Sequence, residues 1–195
     1  MNPFTYQRLV IGYHGCDEST QQRVLTKGHA LKPSKQAYDW LGKGIYFWEH
    51  GPERALEWAE SKHKRNPEKL KKPSVLGAVI HLGLCFDLLD TKFTALLGQM
   101  WIEYEKECAR ANLPIPQNRA LYSNDKDLIL RELDCAVINW TVDTINNGNN
   151  TPFDTVRAVF QEGDVAFPGS SIRSKSHIQI AIRNPACILG FFKPV

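Results

Sequence analysis

The order of the predicted elements is the feature that most limits the fold of this chain of 195 residues. Residues 7–13 predict a first strand, helix-forming segments fill the middle, and the part after residue 152 reads as strands. Because strands and helices do not alternate regularly, an α+β fold is favoured over a doubly wound parallel sheet. We expect one domain over residues 1–195, with a helical segment at about 91–147 between two sheet-forming parts.

Local signals set the boundaries of the predicted helices. Asp17 can cap a helix that ends before Gly28, and Pro52 suits the first turn of a second helix. Further helices are predicted from Lys92 to Ala111 and, by the spacing of apolar residues, over residues 125–145. The inner side of the helix after Pro52 is predicted to consist of Ala55, Leu56, Ala59 and Trp58.

The net charge of +3 is unevenly distributed. Residues 60–72, the basic patch, carry a net charge of +4 and leave −1 for the rest of the chain. Such a patch can hold polyanions without a high overall isoelectric point. A solvated helix end followed by a loop is the alternative interpretation.

The five cysteines are widely spaced and contain no CxxC pair, which favours reduced thiols over a disulfide framework or a zinc site. The first residues lack the pattern of a signal peptide, and no apolar stretch is long enough to span a membrane. We therefore expect a cytoplasmic protein with no metal and no membrane partner.

Two stretches point to a ligand site. The first puts His14 at the end of a strand, beside Gly15, where a ligand can approach the backbone closely. The second, Gly42 to Trp48, sets a run of aromatic residues behind two glycines. Together they can form a slot with a stacking face and exposed amide groups, suited to a flat ring that bears an amide. For the second stretch alone, an aromatic core after a glycine turn is the alternative.

The sequence YHG, followed after a loop by LGKGIYF and a helix, resembles the poly(ADP-ribose)-polymerase-like branch of the ADP-ribosyltransferases. The match runs from about Leu9 to Glu60 and again, more weakly, from Phe160 to Phe192. The resemblance implies a diphtheria-toxin-type fold with a split β-sheet core and a His-Tyr-Glu signature whose glutamate is often replaced. It also implies NAD as co-substrate and is typical of a bacterial or phage toxin or effector; whether an antitoxin is a partner is left open by the sequence.

The resemblance assigns roles to individual residues. His14 would bind the 2′-hydroxyl of the adenosine-side ribose of NAD, and the backbone of Gly15 would hold the nicotinamide carboxamide. Tyr46 would stack on the nicotinamide ring, with Gly44 giving the backbone room. Trp58, from the following helix, would face Tyr46 across the ring.

The third signature position falls in the segment SHIQIAI. Alternation along a strand puts His177, Gln179 and Ala181 on one face. A glutamine in an apolar strand needs partners, because an unsatisfied amide costs about 1–3 kcal/mol. By the resemblance, Gln179 replaces the glutamate and bonds the nicotinamide ribose, with Ser176 and His177 as competing alignments. Tyr38 would close the mouth of the site.

The implied function is that of an NAD-dependent mono-ADP-ribosyltransferase, with Gln179, Tyr46 and His14 as its catalytic residues. Single transfer is favoured because a glutamine lacks the negative charge that would stabilise the developing cation. The basic patch favours a nucleic acid slightly over a protein as acceptor. By the resemblance, residues 162–175 would form the loop that meets the acceptor, with Arg157, Arg173 and Lys175 available for its anionic groups. The alternatives are an inactive module that binds NAD or ADP-ribose, and a nucleic-acid-binding protein whose aromatic residues are only core.

Overall fold

The computed structural model describes residues 5–123, 127–148 and 152–195. The helices are α1 (Glu18–Lys27), α2 (Pro52–Arg65), α3 (Thr91–Ala111) and α4 (Glu132–Gly148). The strands are β1 (Thr5–Asp17), β2 (Ile45–Glu49), β3 (Pro73–Asp87), β4 (Asn118–Arg119), β5 (Leu130–Arg131), β6 (Thr155–Phe160), β7 (His177–Ile182) and β8 (Ile188–Phe192). The fold is α+β, as predicted from the order of the elements.

One mixed sheet contains six strands in the order β1–β2–β7–β6–β3–β8, and β1 also pairs with β3. β3 and β6 are parallel, whereas β1 is antiparallel to both β2 and β3. In the described chain, β1 pairs with β3 from Thr5 to Asp17 but with β2 only at Gly12 and Tyr13. The two strands β1 and β2 therefore separate beyond Tyr13.

Alternation of side chains along β2 separates two apolar clusters. Phe47 belongs to the first cluster, together with Val24 of α1. Tyr46 packs against the second cluster, which contains Phe93 of α3 and Ile138 of α4. Burial of each large apolar side chain contributes about 1.5–3 kcal/mol, so both faces of β2 stabilise its position.

The first two helices begin where the sequence predicts. The Asp17 carboxylate accepts a hydrogen bond from the backbone N–H of Ser19 at 3.0 Å, and α1 ends at Gly28, whose φ is 62°. α2 starts with Pro52 in its first turn. Local capping chemistry is sufficient for these boundaries.

The inner face of α2 is narrower than predicted. Ala55 and Ala59 are fully buried, and Trp58 is half-buried. Leu56 is 37% exposed, so its assignment to the inner face is wrong. The helix lies so close to β1 that alanine, not leucine, occupies the line of contact.

The start predicted for the fourth helix is also wrong. Residues 130–131 form β5, which pairs with β4, and α4 begins only at Glu132. The Asn118 side chain accepts hydrogen bonds from the backbone N–H groups of Leu133 at 3.0 Å and Asp134 at 3.3 Å. A cap supplied from a distant segment leaves no signal in the local apolar spacing. Residues 125–126 of the predicted helix and residues 149–150 of its predicted stop lie outside the described ranges.

Candidate functional site

The residues predicted to form a site surround one cavity of about 650 Å³. The predicted residues on its wall are His14, Gly15, Tyr38, Gly44, Tyr46, Trp58 and Gln179. They come from β1, β2 and the loop before it, α2 and β7, so the cavity is a product of tertiary structure. Its volume is in the range of small-molecule and cofactor sites.

His14 is fixed by a hydrogen bond to β2. Its Nδ1 lies 2.8 Å from the backbone oxygen of Tyr46. A carbonyl oxygen only accepts, so Nδ1 carries the hydrogen and the neutral ring keeps Nε2 as an acceptor. Burial lowers the pKa of His14, and the charge of Lys62 acts in the same direction, against the bond to Tyr46. His14 therefore offers the cavity a hydrogen-bond acceptor.

Gly15 lies where β1 and β2 separate. The backbone oxygen of Ile11 accepts from the N–H of His50, just after β2, at 3.2 Å. Alternate residues of an antiparallel strand direct their N–H and C=O groups to the same side. Gly15, like Ile11, therefore directs both groups towards β2. The β2 ladder does not extend to Gly15 in the described chain, so this donor and acceptor face the gap together. The pair matches the donor and acceptor of a carboxamide.

Two glycines on the cavity wall are required by neighbouring backbone. A Cβ at Gly15 would lie 2.2 Å from the backbone oxygen of Ala55 and 3.1 Å from the Trp58 ring. A Cβ at Gly44 would lie 3.0 Å from the backbone oxygen of Ile182. The sequence assigned both glycines to room for a ligand; the structure gives close contact with α2 and β7 as a separate physical reason.

Tyr46 is held by the turn that precedes β2. Its hydroxyl donates to the backbone oxygen of Gly42 at 2.6 Å and accepts from the N–H of Leu41 at 2.8 Å. Burial raises the pKa of Tyr46, and the charge of Asp39 adds to the effect, so the hydroxyl stays protonated. The half-buried ring packs against the second apolar cluster and also lines the cavity. It is a fixed stacking surface.

Helix α4 braces the same turn. The Asn139 side-chain oxygen accepts from the N–H of Lys43 at 2.9 Å and from the guanidinium of Arg183 at 2.7 Å. The Lys43 ammonium pairs with Asp143 at 2.8 Å. Gly42 has a φ of 75°, and a Cβ there would meet Asn139. Helix α4, for which the sequence offered no role, thus positions the strand that carries Tyr46.

Of the three candidates for the third signature position, Gln179 lies on the cavity wall. Ser176 is exposed, and its hydroxyl donates to the backbone oxygen of Arg173 at 3.0 Å. The Nδ1 of buried His177 lies 2.7 Å from the backbone oxygen of Lys175, so its Nε2 accepts from the Gln179 amide nitrogen at 3.1 Å. The shared face of His177 and Gln179 is confirmed. The amide oxygen of Gln179 has no partner among the described residues.

Sequence reasoning missed many residues of the cavity wall, among them Trp48, Arg54 and Glu162. The indole N–H of Trp48 is buried and has no partner in the described chain. The four-residue spacing of Arg54, Trp58 and Lys62 along α2 could have revealed one helix face directed at the cavity. Glu162 has no comparable signal, because its partner Arg54 is 108 positions away, with 2.7 Å between Nη2 and Oε2.

The basic patch divides into two parts. Lys62, Arg65 and Lys69 line the cavity, whereas Lys71 lies off its wall and donates its backbone N–H to the Asp17 carboxylate at 2.8 Å. Burial lowers the pKa of Lys62, and the charges of Arg65 and Lys69 act in the same direction. The further cations on the wall are Arg23, Lys32 and Arg54. This concentration of positive charge favours an anionic ligand.

Arg157 is not available to an anionic ligand, so its assignment to the acceptor is wrong. Its guanidinium bonds the Glu49 carboxylate at 2.6 and 3.0 Å and the Asp87 carboxylate at 2.9 Å. These three side chains, the buried charge cluster, are each at most 7% exposed. Arg173 and Lys175 lie in the loop before β7, off the cavity wall, and stay candidates for contact with an acceptor.

Other chemistry has little support within the described ranges. The five cysteines are buried free thiols, and burial raises the pKa of Cys16 to about 11, which disfavours a thiolate nucleophile beside His14. No group of three or more metal-ligating side chains is found there. Nor does any helix of the described chain combine the length and apolar character needed to cross a bilayer.

Comparison with known proteins gives one informative likeness in sequence. Over 200 aligned positions the chain is 26% identical to "Uncharacterized protein MJ0359" of Methanocaldococcus jannaschii. The alignment covers 94% of this chain and 86% of that protein. No family model matches the chain, and no solved structure matches it significantly. The likeness therefore extends over nearly the whole chain and carries no named activity.

Proposed function

We propose that this protein is an NAD-dependent mono-ADP-ribosyltransferase of the poly(ADP-ribose)-polymerase-like branch. The observation that carries the proposal is the meeting of His14, Tyr46 and Gln179 on one cavity wall. These residues come from segments that are far apart in sequence and that the resemblance alone had grouped together. Each also has the hydrogen-bonding state that its proposed role needs.

The proposal includes the finer architecture. The gap between β1 and β2 beyond Tyr13 supports a split sheet of the diphtheria-toxin type. In this interpretation α3 and α4 are a helical insertion between the two sheet-forming parts. The insertion has a function of its own, because α4 holds the turn before β2.

In the proposed complex, Nε2 of His14 accepts a hydrogen bond from the 2′-hydroxyl of the adenosine-side ribose. The backbone N–H and C=O of Gly15 bind the carboxamide, and Tyr46 and Trp58 flank the nicotinamide ring. Tyr38, 43% exposed, covers the mouth. The cations Lys62, Arg65 and Lys69 attract the pyrophosphate, since phosphate oxygens favour charge-assisted hydrogen bonds.

The reaction needs binding and orientation more than acid catalysis. Nicotinamide leaves NAD as a neutral molecule while positive charge develops on the ribose, so the protein must hold the ring and align a nucleophile opposite it. The Gln179 amide oxygen can orient a ribose hydroxyl, but it carries no charge. The neutral side chain supports single transfer over chain elongation.

A nucleic acid is the acceptor that the charge distribution favours. The cavity rim carries the basic part of α2 and its following loop, and a polyanion can bind there while one of its groups enters the site. A nucleic-acid-binding protein without enzymatic activity is less favoured, because Tyr46 and Trp58 line a cavity instead of being only core.

A module that binds NAD without cleaving it is the second candidate, and the neutral Gln179 favours it. Release of free nicotinamide separates the two candidates, since only the enzyme produces it. Incubation of cell extract with labelled NAD, followed by separate protease and nuclease digestion, would identify the acceptor class in the same experiment. A thermal shift with NAD but no nicotinamide would support the binding module.

Replacement of Tyr46 with alanine tests the site. We expect Tyr46→Ala to lower nicotinamide release by about 5- to 150-fold, because a stacked ring is worth about 1–3 kcal/mol by alanine substitution. Tyr46→Phe removes the bonds to the turn but keeps the ring, and should retain most of the release. Tyr122→Ala, at an exposed position off the cavity wall, is the control. Wild-type release by a folded Tyr46→Ala variant would refute the site.

A further inference from the structure

Glu162 is a carboxylate on the cavity wall that the function proposed above does not use. It follows β6, and its side chain is 14% exposed. The Arg54 guanidinium donates to Glu162 at 2.7 Å, and the Glu162 carboxylate lies 3.6 Å from Nδ1 of His177. Since His177 also bonds Gln179 at 3.1 Å, Glu162 belongs to the same end of the cavity as the third signature position.

The other carboxylates on the wall in the described chain are Asp17 and Asp39, and both are committed to local structure. Asp17 accepts from the backbone N–H groups of Ser19 and Lys71. Asp39 accepts from the Ser34 hydroxyl at 3.0 Å and from the N–H of Gln36 at 2.8 Å. Glu162, in contrast, accepts its side-chain hydrogen bond from the Arg54 guanidinium and from no backbone N–H of the described residues.

We infer that Glu162 is the general base of the transfer, and that the acceptor is consequently a neutral nucleophile that must lose a proton, such as a hydroxyl group. This inference rests on the proposed function and goes beyond it. A carboxylate or phosphate acceptor would carry no proton to remove and would be repelled by Glu162. The two residues thus have separate roles: Gln179 orients the ribose, and Glu162 activates the acceptor.

The bond between C1′ of the ribose and the nicotinamide nitrogen breaks, and its electron pair neutralises the charge of the ring. The acceptor oxygen forms a new bond to C1′, and its proton passes to the Glu162 carboxylate. When water is the acceptor, the products are ADP-ribose, nicotinamide and one proton.

Several charges act on Glu162. Burial raises its pKa, Asp127 acts in the same direction, and Arg54 and Arg131 oppose the rise. A further titratable neighbour, His177, has its pKa lowered to about 4 by burial and is neutral in the working range. A base acts only when deprotonated, so the rate should rise with pH through the pKa of Glu162 and then level off.

The test is Glu162→Gln, with Glu57→Gln as its matched control. Both carboxylates pair with Arg54, but Glu57 is not on the cavity wall. With water as acceptor, we expect Glu162→Gln to slow nicotinamide release by about 100-fold or more and to flatten the pH profile, while NAD still raises the melting temperature. Glu57→Gln should behave as the wild type.

Azide separates a base from a structural residue. Azide is an anionic nucleophile with no proton to lose, so it should restore much of the release by Glu162→Gln and give ADP-ribosyl azide. It should not rescue Tyr46→Ala, in which ring binding is lost. If Glu162→Gln does not fold, Glu162→Asp replaces it in the test, because aspartate keeps the carboxylate. Its rate of nicotinamide release should depend on pH and lie between the wild-type rate and the rate about 100-fold lower that is expected without a base.

Release within threefold of wild type by Glu162→Gln, or failure of azide to raise its rate, would overturn the role of Glu162 while leaving the proposed transferase intact. A wild-type protein that neither binds NAD nor releases nicotinamide would remove both proposals at once.

Discussion

At the scale of single residues, Gln179 shows how a neutral side chain can be made directional. The unprotonated Nε2 of His177 accepts from its amide nitrogen, so the identity of the two amide ends is set by the tautomer of the histidine. The amide oxygen is then the end that faces a ligand. A hydroxyl donor satisfies it, whereas a second acceptor does not.

Replacement of Gln179 with alanine measures that contribution. One neutral hydrogen bond is worth about 1 kcal/mol, so we expect nicotinamide release to fall about fivefold. Ser176→Ala, at the exposed neighbouring position, should leave the rate unchanged. Steady-state assays of nicotinamide release check this expectation. A wild-type rate for Gln179→Ala, or an equal loss in Ser176→Ala, would contradict the assignment of Gln179 to the third signature position.

The site residues differ in how well the sequence predicts them. His14 and Tyr46 lie next to glycines in short, unusual stretches, so their neighbourhood along the chain already resembles a binding site. Trp48 and Glu162 look like an ordinary core aromatic residue and a loop acid. Their place on the cavity wall depends on contacts across the sheet, which no local pattern contains.

At the scale of elements, α2 links the stability of the fold to the geometry of the site. Its backbone touches Gly15 at Ala55, and its next turns carry Trp58 and Lys62 to the cavity wall. Any displacement of α2 away from β1 therefore moves a stacking ring and a cation together.

Gly15→Ala should displace α2. The added methyl group would lie 2.2 Å from a backbone oxygen, and overpacking of this kind costs about 1–3 kcal/mol of unfolding free energy. Gly98→Ala, in α3 with no atom within 4 Å of the new methyl group, is the control and should be neutral or stabilising. Urea unfolding of both variants checks this; equal stabilities would show that α2 adapts without cost.

Helix boundaries were predictable where capping is local and not where it is tertiary. Asp17, Gly28 and Pro52 act within their own helices, and the predictions from them are confirmed. The start of α4 depends on Asn118, which precedes Leu133 by 15 positions. The Asn118 side chain accepts a hydrogen bond from the backbone N–H of Leu133. The prediction for Leu56 was wrong for a related reason. The apolar pattern identifies the inner face of α2 but not how closely β1 approaches that face.

At the scale of the whole molecule, charge is concentrated where the cavity opens. The chain as a whole carries +3, whereas the basic patch alone carries +4. Since Lys62, Arg65 and Lys69 lie on the cavity wall, the field of the patch attracts anions to the site itself. A nucleic-acid acceptor would be oriented before it makes specific contacts.

Two charge-reversed variants test this orientation. We expect Arg65→Glu/Lys69→Glu to lower labelling of nucleic acid and to reduce the dependence of log affinity on log salt by about 0.9 per lost phosphate contact. Lys64→Glu/Lys71→Glu changes the net charge equally, but at positions off the cavity wall. Equal salt dependences for the two variants would contradict a role of the rim in acceptor binding.

The buried charge cluster has a consequence for motion within the site. Glu49 is the last residue of β2, so β2 cannot leave the sheet without separating Glu49 from Arg157 in surroundings that exclude water. That separation removes two charge-assisted hydrogen bonds, each worth about 1.5–3 kcal/mol. Local opening of β2 is therefore rare, and its amide protons should exchange with solvent nearly as slowly as those of the most protected strands. The strand that presents Tyr46 is rigid before any ligand arrives.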